Sequence, residues 1–132
     1  MTEQRFSIEN YWEVVVFYNV DYNLFYIIAD RLKGMEASED LIDEIYDTMK
    51  SGRAKAVTYS NKLKHISMVL FNRHKTKEDY LNSIVHEAEH IKQAMLSEYN
   101  VEDEGEPPAY TIGYLVSQMW RVFKGMLCGS GV

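Results

Sequence analysis

The chain contains little of the residue types that define several other classes of protein. A single cysteine, Cys128, among 132 residues excludes a disulfide framework and any zinc site built from several cysteines. Two prolines and seven glycines, together with 46% hydrophobic residues, are far from the composition of a disordered or low-complexity chain. No segment approaches about 18 consecutive apolar residues, so we expect no membrane helix. The composition therefore predicts one globular domain that covers residues 1–132.

Positive charge is also scarce. The 14 lysines and arginines stand against 20 acidic residues, which gives a formal net charge of −6. A protein that binds nucleic acid normally carries a basic surface, so we expect no nucleic-acid partner. The first ten residues contain no apolar stretch behind basic residues, which predicts that the chain has no signal peptide and is cytoplasmic.

Runs of β-branched and aromatic residues predict three strands. Residues 11–20 contain the run VVVF, whose continuous apolar character indicates burial on both faces of the strand. Residues 54–60 and 65–72 are two further strands, and the polar residues 61–64 join them as a hairpin.

Apolar residues at helical spacing predict four helices. Asp21, Ser38 and Thr76 are suitable N-caps, and Gly34 is a suitable C-terminal stop. We expect a flexible tail over residues 126–132. The fold class is therefore α+β, with a mixed sheet of about three strands packed with about four helices. The predicted limits of the helices are residues 21–34, 38–52, 76–99 and 106–124.

The sequence HEAEH at residues 86–90 places two histidines four positions apart within the third predicted helix. Such residues lie one turn above the other, about 5–6 Å apart at Cβ, so His86 and His90 can both reach one Zn²⁺ ion at about 2.0–2.1 Å. Glu87 lies about 100° round the helix from His86. Its carboxylate can take a proton from a water that the metal activates and pass that proton to a leaving amine. The pattern predicts one bound zinc ion, with Glu87 as the general base.

An exposed helix face is the alternative explanation for the two histidines. His86 and His90 point away from the apolar face of their own helix, as ordinary solvated residues do. The motif therefore needs further context before it indicates a metal. The apolar face consists of Leu81, Ile84, Val85, Ala88, Ile91 and Met95.

The last predicted helix supplies that context because it is apolar on nearly every side. Such a helix must be covered on more than one side, and the short turn at 100–105 lets it fold back on the histidine-bearing helix. Glu106 could then complete a site of two histidines and one glutamate, and Tyr110 could stabilise a developing oxyanion. Asp103 and Glu104 in the turn compete with Glu106 for the role of third ligand.

Several other residues are weaker candidates. Glu98 is two turns along the helix from the histidine pair and should not reach the metal, whereas Glu102 is a further competitor in the turn. Glu89 is interpreted as a surface carboxylate or as an acceptor for the free N–H of a ligating histidine. His74 is interpreted as a solvated loop residue, and His65 as structural or exposed.

These residues resemble those of the minimal zincin metallopeptidases. HEAEH at 86–90 is followed by an acidic spacer and then by GEPPAYTIGYL at 105–115. This order is similar to that of small phage and gut-bacterial proteins in which a helix beginning E-x-x-A-Y-x-x-G-Y follows HExxH. The likeness extends upstream through TYSN at 58–61, ISMVLF at 66–71 and YLNSIVH at 80–86, and covers about residues 57–115.

The resemblance implies a small zincin-like α+β domain with HExxH on a central helix. It implies one zinc ion held by His86, His90 and Glu106, and hydrolysis of a peptide or amide bond by zinc-activated water with Glu87 as general base. Two positions depart from the family pattern. Glu89 stands where zincin signatures prefer an uncharged residue, and position 96 is leucine, which excludes the third histidine of the longer pattern HExxHxxGxxH.

The resemblance also implies how a substrate binds. In zincins the strand before the active-site helix pairs edge-on with an extended peptide. Here that strand is at residues 66–71, which makes Ser67 and Val69 the expected substrate-binding residues. The expected partner is a peptide or protein substrate of a monomer or homodimer.

Two functions of other classes remain open. The chain is either a non-enzymatic interaction module, such as a phage-derived adaptor or dimer with a structural metal or none, or a metal-independent protein that binds a partner through its apolar last helix. Two histidines and a carboxylate also suit iron, although HExxH on one helix favours zinc.

Overall fold

The computed structural model describes residues 1–129, with side chains described as far as residue 127. Within that part of the chain the α+β class is confirmed, with a four-stranded mixed sheet and four α-helices. A short 3-10 turn, Tyr22–Leu24, precedes the first helix. The elements in chain order are β1 (Thr2–Ile8), β2 (Trp12–Tyr18), α1 (Phe25–Gly34), α2 (Glu39–Lys50), β3 (Ala56–Asn61), β4 (Ile66–Phe71), α3 (Lys77–Glu98) and α4 (Glu106–Gly129).

The sheet has one strand more than the three that the sequence predicts. The additional strand, β1, forms an antiparallel hairpin with β2. Glu9 and Asn10 close the hairpin with φ angles of 50° and 62°, and the Tyr11 N–H donates to the Ile8 carbonyl at 3.0 Å. Two successive positive φ angles are typical of a type I′ turn, whose usual signal is Asn-Gly or Asp-Gly. Because Glu9 takes the first position, the usual hairpin signal is missing from the sequence.

The strand order β1-β2-β4-β3 places β4 in the interior of the sheet. β4 pairs parallel with β2 on one side and antiparallel with β3 on the other. The prediction that β4 offers a free edge to a substrate is therefore wrong. Ser67 and Val69 are fully buried, and Ser67 accepts a hydrogen bond from the Trp12 indole N–H at 2.9 Å. The free edge on this side of the sheet belongs to β3.

Each face of the sheet is covered by a pair of helices. Val14 and Val16 of β2 face the layer formed by α3 and α4, whereas Val15 and Phe17 face the layer formed by α1 and α2. All four side chains are buried, so the prediction that this strand is covered on both faces is confirmed. The alternation follows from the two-residue period of a strand.

Local capping agrees with the sequence at two of the predicted helix starts. The Ser38 hydroxyl accepts from the Leu41 N–H at 3.1 Å, and the Thr76 hydroxyl accepts from the Asp79 N–H at 3.0 Å. Asp21 caps the short 3-10 turn rather than α1 itself.

Two predicted helix ends differ from the structure. Gly34 remains helical, and the residue with positive φ after α1 is Glu36, at 66°. α4 continues past Lys124 to Gly129, because Met126 and Leu127 pack against the core. Residues 126–129 of the expected flexible tail are thus helical, and residues 130–132 lie outside the described residues. None of the helices within residues 1–129 combines the length and hydropathy that a membrane crossing requires.

Candidate metal centre

Helix α3 brings the two histidines of the HEAEH sequence together. The Nε2 atoms of His86 and His90 are 3.2 Å apart, and their ring centroids are 4.9 Å apart. Both side chains are exposed, with His86 at 68%. The prediction that the four-residue spacing places both rings over one point is confirmed.

The separation of the two nitrogens suits one tetrahedral ion. Two nitrogens that each bind Zn²⁺ at about 2.0–2.1 Å in tetrahedral geometry are about 3.3–3.4 Å apart. The observed 3.2 Å between Nε2 of His86 and Nε2 of His90 is close to that value. Imidazole nitrogens are also a donor type that zinc prefers. The residues present therefore fit a zinc ion without rearrangement of the helix.

Glu87 is the third member of the group and is only 4% exposed. Its Oε1 atom accepts a hydrogen bond from the Thr58 hydroxyl at 2.9 Å, and its Oε2 atom lies 3.9 Å from His86 Nε2. The three candidate donor atoms of His86, Glu87 and His90 all lie within 4.8 Å of one another. Among the side chains described, residues 1–127, these are the only three of His, Cys, Asp or Glu grouped closely enough to hold a metal.

Thr58 is a functional candidate that the sequence did not single out. It lies on β3, and its hydroxyl holds one carboxylate oxygen of Glu87 in place. The available signal was the alternation of Thr58 and Ser60 along a strand, which places their side chains on one face. Which helix covers that face depends on the strand order.

A cleft of about 630 Å³ runs between β3 and the histidine side of α3, and we call it the histidine cleft. At one end, the Lys62 ammonium donates to the Ser97 hydroxyl at 3.0 Å. The edge strand β3 forms one wall along its length. Besides His86, Glu87 and His90, its lining includes Ala56, Thr58, Ser60, Lys62, Gln93 and Ser97.

Glu106 and Tyr110 are not brought to the histidines. Both line a second cleft, together with Met95 and Tyr99. At about 100° per residue, Met95 is about 140–180° round α3 from the two histidines. α4 packs against this opposite side of α3, so the expected set of His86, His90 and Glu106 is not assembled. Tyr110 likewise lies on the wrong side to stabilise an oxyanion at His86 and His90.

Asp103 of the turn and two acids of α3, Glu89 and Glu98, have partners away from the two Nε2 atoms. Asp103 and Glu89 both bind the Lys92 ammonium, at 2.8 and 2.9 Å. The hydrogen bonds that the Lys92 ammonium donates to Asp103 and to Glu89 raise the pKa of Lys92. Glu98 lies 3.7 Å from Nε2 of His65. The interpretation of Glu89 as an acceptor for a ligating histidine therefore finds no contact in this structure, where its partners are Lys92 and Gln93.

The other two histidines have local roles. His74 Nδ1 lies 2.8 Å from the Asn72 carbonyl, so that nitrogen carries the proton, and Nε2 accepts from the Ser83 hydroxyl at 2.7 Å. Burial lowers the pKa of His74. His74 is thus half-buried and bonded, not the solvated loop residue that the sequence predicts. His65 stacks on Trp12, with ring centroids 5.4 Å apart, which agrees with a structural role.

No family model, no curated protein and no solved structure matches this chain.

Proposed function

We propose that this chain is a zinc-dependent peptidase of zincin-like fold that hydrolyses a peptide or amide bond. The observation that supports the proposal best is the pair of Nε2 atoms 3.2 Å apart, beside the buried carboxylate of Glu87. A general base must lie within reach of the proton that it removes. In the proposed site, the carboxylate of Glu87 meets that condition next to the metal-binding nitrogens.

His86 and His90 are the residues that would hold the ion. When bound, Zn²⁺ would polarise a substrate carbonyl and lower the pKa of a water to about 7. Each imidazole would bind the ion through a ring nitrogen that carries no proton.

Glu87 is assigned the movement of the proton. The Thr58 hydroxyl engages Oε1 at 2.9 Å, which leaves Oε2 as the oxygen that faces His86. In the proposed cycle, Oε2 accepts a proton from water and then donates it to the leaving amine. A positioned carboxylate of this kind contributes about 10²–10⁴-fold to the rate.

The strand β3 is the proposed docking edge for an extended substrate. It is an edge strand, and four of its residues line the histidine cleft, namely Ala56, Val57, Thr58 and Ser60. A peptide that adds to a free edge gains main-chain hydrogen bonds and places alternate side chains towards the cleft. The proposed docking strand is therefore β3, and not the interior strand β4 of the same hairpin that the sequence predicted.

The first experiment measures metal content and activity together. Protein purified without chelators should contain about one equivalent of zinc, as two histidines and a nearby carboxylate predict. Glu87→Gln should retain the zinc and lose at least about 100-fold in peptide hydrolysis, because the amide cannot accept the proton. Gln93→Ala in the same cleft is the matched control and should retain both properties.

Two outcomes would contradict the proposal. Less than about a tenth of an equivalent of zinc at pH 7 would remove the metal on which the reaction depends. Loss of zinc in Glu87→Gln would instead make Glu87 a ligand, not the base.

A second candidate function is a non-enzymatic interaction module. It is favoured by the position of Glu106, which lies away from the histidines and leaves them without the glutamate ligand that the zincin resemblance implies. In that case, zinc is either absent or held without any hydrolysis. A melting temperature unchanged by chelator, with no activity on an unbiased peptide mixture, would favour this candidate.

A further inference from the structure

The second cleft takes no part in the proposed reaction. It has a volume of about 530 Å³ and lies between the β1–β2 turn, the end of α3 and the start of α4. Ile8, Met95 and Leu96 line it, and all three side chains are buried. We call it the tyrosine cleft, after Tyr11, Tyr99 and Tyr110, which also line it.

The three tyrosine rings are unusually accessible for such large side chains. Tyr11 is 66% exposed, Tyr110 is 57% exposed and Tyr99 is 40% exposed. The rings of Tyr11 and Tyr99 meet edge to face, with centroids 6.5 Å apart. The Tyr99 hydroxyl donates to the Tyr11 carbonyl at 3.3 Å, which ties α3 to the β1–β2 turn. The Tyr99 ring also contacts Trp12 and His65, and one face of Tyr110 stacks on Tyr114, so the accessible rings are chiefly those of Tyr11 and Tyr110. Accessible aromatic rings attract cations through the ring quadrupole.

Two carboxylates share the cleft with the tyrosines. Glu9 lies in the β1–β2 turn and Glu106 begins α4, and both side chains are exposed. Neither forms an ion pair within the described part of the chain. The cleft combines an apolar floor, aromatic walls and carboxylates that form no ion pair. This lining suits a side chain whose apolar stem ends in a cation.

We infer that the tyrosine cleft binds an arginine side chain from a basic segment of a partner protein. The guanidinium would stack on a tyrosine ring and pair with Glu9 or Glu106, while its methylene stem would cover the floor at Met95 and Leu96. The net charge of −6 favours a basic partner over a second copy of this chain. This inference does not depend on the proposed peptidase activity.

The test is a chemical-shift titration of the ¹⁵N-labelled chain with two short blocked peptides. One is acetyl-Gly-Leu-Arg-Gly-amide, and the other carries citrulline, the neutral isostere of arginine, in place of arginine. We expect saturable shifts for the arginine peptide at the backbone amides of Tyr99, Val101 and Tyr110, with a Kd of about 1 mM or below. The citrulline peptide should bind at least about fivefold more weakly, because it lacks the charge.

Matched variants test which side chains contribute to the affinity for the arginine peptide. Glu106→Gln and Tyr110→Leu should each weaken arginine binding about threefold to tenfold. Glu44→Gln makes the same charge change on the exposed surface of α2, and Tyr26→Leu removes an exposed ring from α1. Both controls should bind like the wild type.

Three results would overturn the inference. They are the absence of saturable shifts up to about 10 mM peptide, equal affinity for the citrulline peptide, and shifts confined to the histidine cleft. Shifts at Tyr99 and Tyr110 that grow with protein concentration alone would also overturn it, since a second copy of the chain would then cover the cleft.

Discussion

The two sides of helix α3 carry different chemistry on the same 22 residues. One side presents His86, Glu87 and His90 to the histidine cleft beside β3, and the other presents Met95 and Leu96 to the more apolar tyrosine cleft beside α4. The HEAEH and GEPPAY sequences are separated by only 14 residues, which suggests one site. The helix separates them in space. Proximity in the sequence therefore does not place two motifs in one site when a helix lies between them.

The largest expected effect comes from comparing one residue of each side. His90→Ala should lower zinc affinity by at least about 1,000-fold, because it removes one of two closely placed nitrogens. Glu106→Ala should leave zinc affinity unchanged within about twofold, because Glu106 lines the tyrosine cleft and not the cleft that contains His86 and His90. Competition with a chromogenic zinc indicator measures both. An equal loss of zinc affinity in Glu106→Ala would show that α4 reaches the metal in solution, and it would contradict the separation of the two sides of α3.

Removal of zinc should lower the melting temperature of the chain, and its local effects should be largest on the histidine side of α3. A ligand present at about 1,000 times its Kd stabilises the native state by about 4 kcal/mol, which corresponds to a melting temperature about 10 °C higher for a chain of this size. Calorimetry with and without chelator measures the difference. His90→Ala serves as the control, since chelator should not change its melting temperature. Hydrogen exchange at Tyr99 and Val101 should change less than at His86.

A smaller effect is expected from the support of Glu87. Thr58→Val keeps the side-chain shape and removes the hydroxyl that donates to Oε1 at 2.9 Å. Peptide hydrolysis should fall about tenfold to 100-fold with zinc content unchanged, since the carboxylate loses the group that orients it. The free energy of unfolding should fall by about 1–3 kcal/mol. Thr2→Val on the exposed edge strand β1 is the matched control and should change neither quantity.

The smallest effect concerns the pH dependence of stability and the side chain of His74, which lies in the loop before α3. Burial lowers the pKa of His74 in the folded state below its ordinary value of 6.5, so the unfolded state binds the proton more readily. The stability that depends on neutral His74 is complete above pH 6.5 and is lost as the pH falls through 6.5 towards the lowered folded-state pKa. Denaturant unfolding should therefore show a smaller loss of stability between pH 7 and pH 5 in His74→Gln than in the wild type. An equal loss of stability in His74→Gln and the wild type would show that His74 does not cause this pH dependence.

Much of the fold could be predicted from local sequence. The caps at Ser38 and Thr76 and the doubly buried strand β2 depend on neighbours within a few residues, which the sequence displays directly. β1 escaped prediction because it is a half-exposed edge strand and its turn lacks glycine. The pairing of β4 with two neighbours was also hidden, because strand order depends on contacts between distant parts of the chain.

For the site, the sequence by itself determined that His86 and His90 meet, because residues four apart on a helix always lie one turn above the other. It also placed Glu87 beside them. Only the tertiary structure decided that Thr58 supports Glu87, that β3 offers the free edge, and that Glu106 and Tyr110 lie behind α3. The physical reason is that helical geometry is local, whereas the side of α3 that α4 covers is chosen by the burial of apolar side chains across the whole core.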